Sequence, residues 1–227
     1  MAQSQFQYRP PRGELQIHHA DLHIVVVEKP AGLLSVPGKA ADHGDCVETR
    51  IRAQFPTAKI VHRLDLDTSG LMVLALTAET HRHLSTQFER RVVSKRYVAR
   101  VWGHPAANRG TIMLPLRCDW ARRPRQMVDY ALGKAAETRW EVIERFEKST
   151  LVALYPRTGR SHQLRVHMAE IGHPILGDRF YAHGEALALS ERMLLHAEKL
   201  AFMHPTRGEV MVFESAAFQG GLVVTTS

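Results

Sequence analysis

Cysteine is nearly missing from this chain. Of 227 residues only Cys46 and Cys118 are cysteines, far apart, and neither opens a Cys-x-x-Cys pair. A disulfide framework and a thiolate zinc site are thereby excluded, and two buried or incidental thiols are expected. No apolar run approaches the roughly 18 residues that suggest a membrane-crossing helix, and Met1-Ala2-Gln3-Ser4-Gln5-Phe6 lacks the apolar core of a signal peptide. A soluble, cytoplasmic protein with no membrane partner is expected. Histidines are plentiful, yet His18-His19, His81-x-His83 and His162 with His167 fit neither an HExxH nor a clustered Cys/His pattern, so no metal is expected. Internal repeats are absent, as is a strict βαβ alternation.

What is present is an excess of cations. Thirty Lys and Arg face 23 Asp and Glu, a formal charge of +7. That surplus serves solubility in general, but its distribution points to a polyanion. Arg90-Arg91, Lys95-Arg96, Arg117, Arg122-Arg123, Arg125, Arg157 and Arg160 concentrate in the middle of the chain. Arginine suits planar phosphate recognition and stacking on bases. Asp119-Trp120-Ala121-Arg122-Arg123-Pro124-Arg125-Gln126 lies between two strand-like stretches and reads as an exposed loop that grips RNA.

Short apolar runs bounded by Gly, Pro or polar turns predict strands at 22–27, 71–76, 97–102, 140–146, 151–155, 194–202 and 210–213. Helices are predicted over 79–90, where Leu84 and Phe88 lie four apart, and over 161–171, where Leu164, Met168 and Ile171 share a face. Thr158 or Ser161 is expected to cap the second helix, with Gly172 and Pro174 ending it. Strands outnumber helices. The expected class is α/β of the α+β type, with a mixed, largely antiparallel central sheet and flanking helices.

The most informative stretch is His62-Arg63-Leu64-Asp65-Leu66-Asp67-Thr68-Ser69-Gly70, running straight into an apolar strand. A carboxylate delivered by a turn at the mouth of a buried strand is well placed for chemistry. By spacing alone, the same residues fit an ordinary loop in which Asx and Ser/Thr side chains bond the backbone. The nonapeptide resembles the signature loop of the RluA-type pseudouridine synthases. Further blocks resemble that family in the same order: Val25-Val26-Val27-Glu28-Lys29-Pro30-Ala31-Gly32-Leu33-Leu34-Ser35, Ser94-Lys95-Arg96-Tyr97-Val98, Thr158-Gly159-Arg160-Ser161-His162-Gln163-Leu164-Arg165 continuing through Asp178, and Leu194-Leu195-His196-Ala197. The resemblance spans about Leu15 to Glu214 and implies a mixed sheet split by an RNA-binding cleft.

Uridine-to-pseudouridine conversion needs no redox partner and no group donor, so no cofactor is expected. It needs a carboxylate that acts at the sugar and a pocket for the freed base. The resemblance makes Asp65 that carboxylate. An ordinary Asp has a pKa near ~3.9 and is ionised at neutral pH where its surroundings permit. Burial of an unpaired carboxylate costs several kcal/mol, and the resemblance assigns Arg165 as the offsetting cation, expected to hold both carboxylate oxygens. Residue by residue, Arg165 reads equally as a surface residue of an amphipathic helix. Tyr97 matches the family's active-site tyrosine, implied to stack on uracil and to serve in proton removal from C5; without the resemblance it reads as a half-buried strand aromatic.

Arg63, beside Asp65, is expected either to fill the gap left by a flipped base or to contact a phosphate. His62, Arg122, Arg123, Arg125 and Arg160 are further expected substrate contacts, and Leu195 an expected pocket wall. Asp67 reads as a turn or surface residue. RNA is the expected partner: a 23S rRNA hairpin, the anticodon stem-loop of tRNA, or both, met by a monomer. Residues 1–14 are expected to form a flexible arm or a strap, 15–216 one catalytic domain without an S4-type domain, and 217–227 a tail that is disordered. Two other classes use many of the same residues. A glycoside hydrolase would pair Asp65 with Asp67 or Asp119, and a non-catalytic RNA-binding module would leave Asp65 idle.

Overall fold

The run Ser69 to Ala75 is buried at every residue, without the alternation of a half-exposed strand. Such a strand must be covered on both faces, and the computed structural model, which describes residues 7–217, provides both covers. In chain order its elements are β1 (Gln16–Ala20), β2 (Ile24–Lys29), α1 (Val47–Arg52), β3 (Lys59–Ile60), β4 (Ser69–Ala75), α2 (Ala78–Glu89), β5 (Ser94–Trp102), β6 (Arg109–Ile112), β7 (Leu116–Cys118), β8 (Gln126–Val128), β9 (Thr138–Arg145), β10 (Ser149–Pro156), α3 (Gln163–Glu170), α4 (Gly184–Ala188), β11 (Leu195–Met203) and β12 (Val210–Glu214). On one face of β2 and β4, Val25, Val27, Met72 and Leu74 pack with Val47 and Ile51 of α1. On the other, Ile24, Val26, Leu71 and Val73 pack with Leu84 and Phe88 of α2. A third cluster sets Val101, Val152 and Leu154 against Leu164 and Met168 of α3.

The main sheet runs β1-β2-β4-β11-β5-β10-β9-β6, with β12 beside β11 and β3 beside β4; β7 and β8 form a separate hairpin. The pairing of β11 with β4 is parallel, while the others described are antiparallel. That junction is tight. Gly70 has φ +114°, and a Cβ there would lie 2.3 Å from the Ala197 carbonyl oxygen, so only glycine lets β11 approach the start of β4. The mixed, mostly antiparallel sheet is as expected.

The cap of α3 differs from expectation. Neither Thr158 nor Ser161 caps it. His162 occupies the N-cap in the left-handed region, φ 53° and ψ 17°, with no side-chain cap bond. The Thr158 hydroxyl instead donates to Oε1 of Gln163 at 2.6 Å, and the Gln163 amide donates to the Glu137 carbonyl and the Thr138 hydroxyl at 3.0 Å each. The helix start is thus fastened to the sheet through Gln163. Gly172, at φ +86°, follows the helix end as expected.

Of residues 1–14, the described part, from residue 7 on, is tied to the body at several points. Tyr8 is buried, its hydroxyl donating to the Asp45 carbonyl at 2.7 Å and accepting the Leu34 N–H at 3.0 Å. Arg50 donates to the carbonyls of Pro11 and Gly13. The expectation of a disordered tail over 217–227 falls, past its first residue, outside the described residues. Among the described residues no helix is long and apolar enough to cross a membrane.

Candidate active site

Asp65 sits on a loop whose neighbours are pinned from below. The Ser35 hydroxyl donates to the Leu64 carbonyl at 2.8 Å and accepts the Leu64 N–H at 3.1 Å. On the other side of Asp65, the Leu66 carbonyl accepts from Lys29 Nζ and from the Gly32 N–H, at 2.9 Å each. Lys29 is wholly buried and also donates to the carbonyls of Leu33 and Pro30, at 2.7 and 3.0 Å. Burial pushes its ammonium down to about 7 against the pull of Asp67 and Asp65. The Lys-Pro-x-Gly-Leu-Leu-Ser stretch is therefore a clamp on the backbone either side of Asp65. Neither Lys29 nor Ser35 is among the expected site residues; a buried lysine beside Pro and Gly in an apolar strand was the available signal.

Arg165, on the first turn of α3, reaches Asp65 across 100 residues of sequence. Its Nη1 donates to Asp65 Oδ2 at 3.1 Å, while Nε and Nη2 donate to the two oxygens of Asp178 at 2.7 Å each. This corrects the expected bidentate hold on Asp65: the fork is spent on Asp178, and Asp65 receives one N–H. The reason is burial. Asp178 is fully buried and Arg165 nearly so, whereas Asp65 keeps 27 % of its side chain exposed. Burial disfavours the guanidinium charge, but hydrogen bonding and proximity to Asp178, followed by Asp65, outweigh it and raise its pKa above the ordinary value. Asp178 also accepts the N–H groups of Phe180 and Tyr181, so the 178–181 turn wraps the guanidinium with two rings 5.1 to 5.2 Å away.

A cavity of about 110 Å³ opens at Asp65, lined also by Tyr97, Leu195, Lys95, Arg63 and Arg160. Tyr97 stands on β5 between two core clusters. Burial, then the nearby Asp65 charge, pushes its phenol above the usual range, so it stays protonated at neutral pH. Leu195 is buried and lines the same cavity. Lys95, counted among the cations but not among the expected contacts, lines the same hollow, with its ammonium pushed down by burial and by Arg91. His162 is a further unforeseen neighbour: its Nε2 lies 3.9 Å from Asp65 Oδ2.

The expected RNA contacts divide. Arg63 is exposed at the rim and makes no ion pair among the described residues. Arg160 lines the cavity and donates to the Ala135 carbonyl at 3.2 Å. On the loop between β7 and β8, Arg122 pairs with Asp119 at 2.7 Å, Arg123 lies over Trp120 at 4.6 Å, and Arg125 faces Phe180 at 5.9 Å. Trp120 is 68 % exposed. His62 is a correction. Its Nε2 accepts the Val73 N–H at 3.1 Å and its ring stacks on Phe88 at 4.5 Å, on the α2 side of the sheet. Arg63 lines the cavity, while the His62 ring is turned to Val73 and Phe88 and is not among the lining residues. Burial, then the Lys95 charge, pushes His62 down to about 3, which keeps it a neutral acceptor.

Among the described residues, Asp65 is the one carboxylate that lines this cavity. Asp67 pairs with Arg179 at 3.1 Å and Asp119 with Arg122. Neither aspartate lines the cavity, so a two-acid glycosidase arrangement lacks its second member there. Among the described residues no group of three or more His, Cys, Asp or Glu is arranged to hold a metal ion.

Comparison with known proteins agrees with this geometry. The sequence profile of the family described as RNA pseudouridylate synthase matches residues 23–170. The chain is 54 % identical over 212 residues to the dual-specificity RNA pseudouridine synthase RluA of Escherichia coli O157:H7, covering 92 % of this chain and 97 % of that one. It is 48 % identical over 211 residues to the protein of the same name from Haemophilus influenzae, covering 92 % and 96 %. Among solved structures, human RNA pseudouridylate synthase domain containing 1 superposes with a TM-score of 0.76 at 29 % identity, over 92 % of this chain and 86 % of that one.

Proposed function

The chain belongs to the RNA pseudouridylate synthase family, and from that premise we propose that it isomerises uridines in a 23S rRNA hairpin and in the anticodon stem-loop of tRNA, with Asp65 acting at the ribose. The observation that carries the reading is the convergence of Asp65, Arg165 and Tyr97 on one small hollow with the exposed Arg63 in its lining. In the reaction the N1–C1′ bond breaks and a C1′–C5 bond forms; the proton lost from C5 is matched by one gained at N1. Nothing is oxidised and nothing is transferred from outside.

Asp65 serves as nucleophile at C1′ or as the base that leads to a glycal; both routes need the carboxylate at the sugar. Arg165 orients it with a single N–H, leaving the other oxygen for the substrate. The hollow admits one base, so the target nucleotide must leave its stack, which costs a few kcal/mol. Stacking on Tyr97 recovers roughly 1 to 3 kcal/mol of that, and Arg63 at the rim stands where the vacated space would be filled. Leu195 closes the wall behind the base. Arg122, Arg123, Arg125 and Arg160 hold phosphates around it. One chain carries every group in this scheme, so the proposed working unit is a cytoplasmic monomer.

The test is chemical mapping of pseudouridine in total RNA from cells lacking the gene. The reading expects loss of pseudouridine at one hairpin site in 23S rRNA and one anticodon stem-loop site in tRNA, both restored by the wild-type gene and not by Asp65→Asn. An unchanged map would contradict it.

A further inference from the structure

Between the arginine loop and Asp65 runs a chain of three contacts that the scheme above does not use. The Gln126 N–H, at the start of β8 where the loop ends, donates to the Tyr181 hydroxyl oxygen at 2.8 Å. That hydroxyl lies 2.7 Å from His162 Nδ1. On the opposite side of the same imidazole, Nε2 faces Asp65 Oδ2 at 3.9 Å. We infer that Gln126, Tyr181 and His162 form a relay that ties the seating of RNA on the loop to the orientation of the Asp65 carboxylate, with His162 as a positioning residue.

The direction of the relay follows from proton counting. Tyr181 has one proton, and Nδ1 of His162 is the acceptor within its reach among the described residues. Leaving that proton without an acceptor in this largely buried spot would cost about 1 to 3 kcal/mol. The hydroxyl therefore donates to Nδ1. Burial lowers the His162 pKa, so the ring is neutral at pH 7 and its single proton sits on Nε2, the nitrogen that faces Asp65. At 3.9 Å the Nε2–H is not yet hydrogen-bonded to the carboxylate. A shift of several tenths of an ångström completes the bond.

Two features make the loop the natural source of that shift. The loop is one tight unit: the Asp119 N–H donates to the Arg125 carbonyl at 2.9 Å, and the Arg125 N–H to the Arg122 carbonyl at 3.0 Å. Movement of the arginines therefore reaches Gln126 directly. A second contact runs parallel to the first, since Arg125 lies over Phe180, whose ring stacks on His162 with an interplanar angle of 17°. The backbone of His162 is itself held in the left-handed region at φ 53°, a conformation uncommon for a non-glycine residue, and no helix cap bond from its side chain explains it. In this conformation Nε2 of the imidazole lies 3.9 Å from Asp65 Oδ2.

The inference rests on the proposed pseudouridylation, and its test separates the two. His162→Asn keeps a residue that tolerates the left-handed region and retains a partner for the Tyr181 hydroxyl, but removes the Nε2–H. Tyr181→Phe keeps the ring and breaks the relay one step earlier. Tritium release from a stem-loop RNA labelled at uridine C5 is followed for wild type, each variant, the double variant, and each of these combined with Arg122→Ala/Arg123→Ala/Arg125→Ala. Each single variant is expected to lower kcat about tenfold or more with KM within about twofold, the double variant to be no worse than either, and the loop substitutions to lower kcat in wild type but only to raise KM in His162→Asn. Wild-type kcat in both single variants, or losses that multiply in the double variant, overturns the relay while leaving the pseudouridylation reading intact. Absence of tritium release from wild type overturns both.

Discussion

Arg165 holds Asp178 through two hydrogen bonds of 2.7 Å and Asp65 through one of 3.1 Å. The two carboxylates therefore have different work: Asp178 fixes the guanidinium, and the guanidinium fixes Asp65. Replacing Asp178 by Asn takes from a buried arginine the stronger of its two carboxylate partners. Disruption of a buried pair costs about 3 to 5 kcal/mol, so Asp178→Asn is expected to lose stability of that order in urea unfolding, together with most of its turnover as Arg165 turns toward Asp65. Wild-type stability in this variant would show that the fork is dispensable.

Tyr97 combines a stacking face with a protonated hydroxyl. Tyr97→Phe retains the face, so RNA affinity measured by filter binding should stay within about twofold, since stacking does not depend on the hydroxyl. Because the phenol is held protonated, it can take the C5 proton only by passing its own on; loss of that hydroxyl should lower turnover by about 100-fold or more, and tritium release should fall accordingly. Full turnover in Tyr97→Phe would confine the residue to stacking.

Lys29 carries a pH dependence whose sign can be stated. Its folded pKa of about 7 lies below the ordinary 10.5. Between those values the unfolded chain binds a proton that the folded chain has released, so unfolding free energy from this group rises with pH across that window and is lost again as pH falls through about 7. Urea unfolding at pH 7 and pH 10 should show wild type gaining stability relative to Lys29→Met as pH increases. Parallel pH profiles for the two proteins would contradict the burial argument.

The loop between β7 and β8 presents Arg122, Arg123 and Arg125 beside an exposed Trp120. If these arginines contact phosphates, each alanine substitution should reduce the slope of log affinity against log salt by about one and weaken different RNA sequences alike. An unchanged slope would move the RNA path elsewhere on the protein.

Much of this architecture was legible because its signals are local. The apolar runs predicted β2, β4, β5, β9, β10, β11 and β12; the signal is plainest in β2 and β4, whose near-continuous apolar residues match their cover on both faces, while β9 and β12 are partly exposed. Shorter elements escaped: β3, β6 and α1 have too few residues for a period to show, and α4 has five. Asp65, Tyr97, Arg165 and Leu195 were named through family resemblance, and they meet at one cavity. The partition of Arg165 between two carboxylates was hidden, because Asp178 lies 13 residues on and only packing decides which oxygens meet the fork. His62 turns away from the cavity toward Phe88, because adjacency to Arg63 in a bend does not decide which way a side chain points.

The account stands on Asp65 as the group that acts on the sugar. Wild type and Asp65→Asn should be incubated with stem-loop RNA tritiated at uridine C5, with binding measured in parallel. Retained RNA affinity with tritium release only from wild type is the expected result; equal release from both proteins, or none from either, would contradict it.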